Sequence, residues 1–222
     1  MNNSDSDSIF SIIFIVVLVL WGVYKFISSK ILAQRIAFIE AYVFPQQMAK
    51  RLHEKYPHLS DAQVNQVMDA LRNFFTLCSK AKMEMVSMPS QVVDEAWHEF
   101  ILFTRQYEEF CQNALGRFLH HTPAEAMKAP TEAQQGIQRA WQLACEHERI
   151  NVKAPEKLPQ LFAIDTLLMI DDGFNYVLDC TVVEGQQRPH ADAGTATHNK
   201  KPVYCAAHIS PDSGCGGGCG GG

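Results

Sequence analysis

Apolar residues follow three regimes along this chain. The first is a solid block, "IFSIIFIVVLVLWGVYKFI" from Ile9 to Ile27, uncharged as far as Tyr24. The second, running to about residue 170, is a series of segments in which apolar positions recur every three or four residues, the period of a helix with one buried face. Beyond Asp171 the period is lost and the chain ends in "DSGCGGGCGGG".

As a helix the first block reaches roughly 28 Å, about the hydrocarbon thickness of a bilayer. Residues 9–28 are therefore expected to form a single transmembrane helix after a short tail, 1–8. Trp21 and Tyr24 sit where amphipathic rings meet headgroups, and Lys25 can snorkel outward. A cleaved signal peptide needs a basic segment before the apolar run. The residues there, "MNNSDSDS", are acidic, which favours an uncleaved anchor.

The second regime predicts an all-α helical bundle over 31–170. "ILAQRIAFIEAYVF" continues or follows the anchor and breaks before Pro45, and "PQQMAKRLHEKY" starts a short helix. In "SDAQVNQVMDALRNFFTLCSK", Ser60 and Gln63 have capping-box spacing, and Val64, Val67, Met68, Leu71, Phe74, Phe75 and Cys78 form one core face. One helix of about 26 residues is expected from Ser90 to a C-terminal cap at Gly116. Thr122, Pro123 and Glu125 resemble a further helix start. Residues 131–149 and "LPQLFAIDTLLMI" supply two more helices, and "NYVLDCTVVEG" and "PVYCAAHI" two short strands. Region 171–222 is rich in Cys, His and Gly. Its last part holds seven of the 13 glycines and too little apolar surface to offset backbone entropy, so disorder is expected there.

Charge sets location and excludes one partner class. Lys25, Lys30 and Arg35 follow the apolar block and no basic residue precedes it, which predicts an N-terminus outside and a cytoplasmic C-terminal domain, at the inner membrane of a bacterium. Two of the 24 acidic groups precede Lys25, leaving 22 against 19 basic ones, no footprint for nucleic acid. The expected partners are the membrane and an unidentified protein. In a reducing cytoplasm the seven cysteines are expected to be thiols or metal ligands, not disulfides.

Candidate chemistry centres on "VVDEAWHEFILFTRQYEEFC", residues 92–111. Asp94 and His98 lie one helical turn apart at the margin of the apolar face, and a carboxylate there raises an imidazole's basicity and fixes its tautomer. His120 and His121 follow the helix end. If the chain folds back, one of them joins Asp94 and His98 in a mixed N/O ligand set suited to zinc or another divalent ion. The plainer alternative is a surface ion pair of a few tenths of a kcal/mol. Cys215 and Cys219, separated by three glycines, are a second candidate metal pair, with Cys180 and Cys205 as further soft ligands.

The segment "PSQVVDEAWHEFILFTRQYEEFC", followed by "GRFLHHTP", resembles the glycine-rich domain-containing protein-like family. That family's pattern is approximately D-x-x-W-H-x-H-x-L, then Tyr, Cys, Gly and a His-His or His-Asp pair. Here it falls on Asp94, Trp97, His98, Tyr107, Cys111, Gly116, His120 and His121. The likeness spans roughly residues 45–180, densest over 89–123, and the Gly/Cys-rich end looks like that of bacterial members with an N-terminal membrane helix. Phe100 stands where the family has its second histidine. The resemblance implies an all-helical domain and brings no reaction or catalytic residue.

Two function classes follow. One is a membrane-tethered interaction or scaffold module, consistent with the lack of G-x-S-x-G, phosphate-cradling or H-E-x-x-H motifs. The other is a metal-binding protein, in its hydrolytic form one that uses a metal-bound water beside Asp94, His98, His120 and His121. No residue is assigned a catalytic role.

Overall fold

The computed structural model describes residues 3–121, 130–178 and 203–209. Its fold is all-α, as the apolar period predicts: α1 (Asn3–Ala41), α2 (Gln46–Lys55), α3 (Asp61–Lys80), α4 (Gln91–Ile101), α5 (Thr104–Leu115), α6 (Pro130–Glu148), α7 (Gln160–Leu167) and a short α8 (Ala206–Ile209). Strands β1 (Asn175–Val177) and β2 (Val203–Cys205) fall inside the two segments expected to hold strands, and they pair in parallel with Val177 opposite Cys205. The helix start expected at Thr122, Pro123 and Glu125 lies outside the described residues.

α1 is one helix of 39 residues in which Phe10–Ala41 is long and apolar enough to cross a membrane. The segment expected to continue or follow the apolar block continues it, as one helix. Neither Gly nor Pro interrupts the stretch between Gly22 and Pro45, so nothing stops the helix before its last turns dock. Ile39 is fully buried, and Phe38 packs on Phe110. Around them Tyr42, Phe75, Phe100 and Phe110 stack at centroid distances of 4.7–5.7 Å, an aromatic core contributed by α1, α3, α4 and α5.

α3 opens on the expected capping box. Ser60 Oγ accepts from the Gln63 amide at 3.3 Å, and the Gln63 side chain accepts from the Ser60 amide at 2.9 Å. All seven residues assigned to its core face are buried.

The single helix expected from Ser90 to Gly116 is instead two, broken at Leu102 and Phe103, whose φ of −83° and ψ of 56° leave helical space. In a straight helix Tyr107 would stand about 15 Å beyond Trp97 and on a different face. The break folds α5 back so that both rings share one core, and Trp97 Nε1 donates to Tyr107 Oη at 3.0 Å. Thr104, at the start of α5, is exposed, and Phe103 is half-buried.

Among the described residues Asp165 of α7 is the most heavily bonded buried side chain, and it fixes the start of α4. Its carboxylate accepts from Ser90 Oγ at 2.6 Å, from the Gln91 and Val92 amides at 2.7 and 3.2 Å, and from the Phe174 amide at 2.9 Å. An anion there meets amides that have no partner inside the helix, and the positive end of the helix dipole. Gly173 admits the carboxylate, because a Cβ at 173 would lie 2.7 Å from Asp165 Cβ.

Cys78, Cys111 and Cys145 are buried free thiols, as expected. Cys205 is disulfide-bonded, which corrects the expectation of thiols or metal ligands and no disulfides. That expectation rested on compartment alone, and sequence position says little about which sulfurs meet.

Two outcomes follow. Asp165→Ala strips four donors of their acceptor and is expected to cost about 2–4 kcal/mol in urea unfolding followed by tryptophan fluorescence. Burial, with the Lys80 ammonium 3.0 Å from Nδ1, holds the His147 imidazole below its ordinary 6.5. The unfolded chain therefore takes up this proton first, so stability is expected to fall as pH drops below about 6.5, and His147→Gln should flatten that slope.

Candidate metal centre

With α4 fixed at its first turn, the positions of Asp94 and His98 are fixed too. Asp94 Oδ2 lies 3.7 Å from His98 Nε2 across one helical turn. Asp94 Oδ1 lies 2.9 Å from Nε2 of His121, and the rings of His98 and His121 are 4.3 Å apart. One ligand atom from each of the three residues falls within 4.8 Å of the other two. Ligands about 2.0 Å from a tetrahedral ion stand roughly 3.3 Å apart, so small side-chain rotations close this set around zinc or a similar ion. Three protein ligands leave a coordination position open for water or a bound group.

His121 is delivered by a chain of contacts from the same motif. Gly116 ends α5 in left-handed backbone, φ 70° and ψ 16°, with its amide donating to the Cys111 and Gln112 carbonyls. The chain then turns back along α5, where Tyr107 Oη donates to the Leu119 carbonyl at 2.5 Å. Trp97, which donates to that same Tyr107 hydroxyl, packs edge-on against His121 at 4.6 Å. Gly116 also receives α1: a Cβ there would lie 1.9 Å from Arg35 Nη2, so no other residue fits without displacing that guanidinium.

Of the four residues proposed from sequence, the structure brings together Asp94, His98 and His121 and leaves out His120. In the irregular segment after α5 the two consecutive imidazoles diverge. His120 is exposed and packs on Phe118 at 4.8 Å. Cys215 and Cys219 lie outside the described residues. Phe100 is fully buried, so the position where the family pattern has a second histidine faces the core and not this cluster.

The triad stands in the wall of a cleft of about 710 Å³, whose other walls include Met88, Leu119, Ile137, Phe174 and Tyr176. Cys78 also lines it, but burial pushes its thiol up to about 12, which removes it as a nucleophile at neutral pH. Glu95, next along α4, is 4.0 Å from His98 Nδ1 and is already held by Lys55. Sequence reasoning missed Asp165 and the Tyr107–Leu119 bond. For Asp165 a signal exists, a lone carboxylate inside the apolar run "LFAIDTLLMI", where a buried charge requires partners.

The chain belongs to the UCP032817-like family, whose model matches residues 34–209, thus the bundle with its candidate centre but not the apolar block. That description names no activity and does not bear on the glycine-rich likeness. No curated protein and no solved structure matches the chain.

Tyr107→Phe removes the hydroxyl that joins Trp97 to Leu119. It is expected to cost about 1–3 kcal/mol and to speed amide exchange over 117–121, leaving α3 protected.

Proposed function

We propose that this protein is a membrane-anchored binder of a divalent metal ion, held by Asp94, His98 and His121 at the wall of an apolar cleft. The convergence of three ligand atoms from separate turns of the chain carries the proposal. Its support lies in the rigid placement of each ligand: Asp165 fixes α4, and the Trp97–Tyr107–Leu119 bonds fix the return segment. Zinc or a similar ion bound there would supply Lewis acidity and lower the pKa of a bound water, chemistry that suits hydrolysis of a ligand in the cleft. The interaction or scaffold reading remains the rival, and it needs no ion.

The anchor is α1, whose apolar window is unburied throughout. Lys25, Lys30 and Arg35 favour a cytoplasmic domain, whereas the disulfide at Cys205 suits an oxidising compartment. A C-terminal reporter active only outside the cytoplasm decides between them.

Elemental analysis of the full-length protein in detergent tests the metal directly. About one divalent ion per chain is expected, lost in His98→Ala and His121→Ala, kept in His120→Ala, and released on acidification as protons compete for the imidazoles. A folded, metal-free protein would favour the scaffold reading. Metal that survives both losses and disappears with Cys215 and Cys219 would move the site to the tail.

A further inference from the structure

Contacts along α1 set the level of the other helix ends relative to its apolar stretch. Phe38 and Tyr42 both meet Phe110, while Arg35, nearer the apolar block, lies against Gly116, so α5 runs antiparallel to α1. Phe75 meets Phe110 at 4.7 Å, and Ser79 Oγ donates to the Ala114 carbonyl at 3.0 Å, so α3 runs beside α5 in the same direction. Both helices therefore point their C-terminal ends toward the apolar stretch. Arg35 follows Ile27 by roughly 12 Å of helix. With a headgroup layer of about 6 Å, this level stands within about a Debye length of lipid phosphates.

The groove found at this level is polar and basic. It encloses about 760 Å³ between the end of α3 and α6, lined by Lys80, Lys82 and Arg139 and by the amides of Gln135, Gln138 and Gln142. The acid in its wall, Glu84, is paired with Arg139 at 2.6 Å, and Lys80 is bonded to His147 and feels Glu146. Lys82 is exposed, and beside it Met83, 80% exposed, projects an apolar side chain into solvent. Cations and amide donors in a groove, next to an unburied apolar side chain, match a surface where phosphate meets hydrocarbon.

We propose that this groove holds the phosphate headgroup of an anionic lipid in the bilayer that α1 crosses. The proposal rests on the reading of α1 as an anchor. A soluble anion would match the cations equally well but would leave the exposed Met83 and the level of the groove along α1 unexplained. Lipid binding here would fix the tilt of the domain, since α1 enters it without a hinge.

Full-length protein in lipid nanodiscs provides the test, with amide exchange read over 81–86 and 135–143. Discs containing phosphatidylglycerol should slow exchange there several-fold relative to phosphatidylcholine discs, and Lys82→Glu should abolish the difference without changing exchange in α3. Equal exchange in the two lipids would overturn the proposal. So would inorganic phosphate reproducing the protection in neutral discs, which would make the groove a site for soluble anions. Failure of the chain to remain with either disc would sink the anchor reading itself and the headgroup site along with it.

Discussion

A buried carboxylate at the start of a helix holds this domain in register. Asp165 is 3% exposed and would be costly to bury unpaired. It is stabilised because four donors converge on it, three from the first turn of α4 and one from the chain after α7. That carboxylate ties the C-terminal third of the domain to the helix that carries Asp94 and His98. The positions of Asp94 and His98 therefore depend on a residue that lies in neither the candidate centre nor the cleft wall.

A second constraint works from the opposite side. The break between α4 and α5 sets Trp97 and Tyr107 side by side, and the Tyr107 hydroxyl then fixes the Leu119 carbonyl, two residues before His121. Gly116 provides the reversal this requires, and Arg35 packs against the same glycine. One short motif thus joins α1, core and candidate centre. Trp97, Tyr107 and Gly116 serve to place an imidazole, and none of them is needed as a ligand.

Much of this was legible from spacing. The apolar period located α2, α3, α6 and α7, and Ser60 with Gln63 marked a real cap, because local hydrogen bonds and one-sided burial are recorded in neighbouring residues. The break at Phe103 was not legible, since no Gly or Pro marks it and the driving contact is tertiary. The same limit explains the histidines. Asp94 and His98 share a helix and could be paired by geometry, but the choice of His121 over His120 depends on how an irregular segment turns. The role of Asp165 lay further out of reach, because three of its four donors are more than 70 residues away in sequence.

Anomalous X-ray diffraction from crystals grown with zinc, recorded on both sides of the zinc edge, tests the central claim most directly. The account predicts a peak within coordination distance of Asp94, His98 and His121, about 2.0–2.2 Å from each ligand atom. A map with no peak there, or with zinc only on other residues, would contradict it.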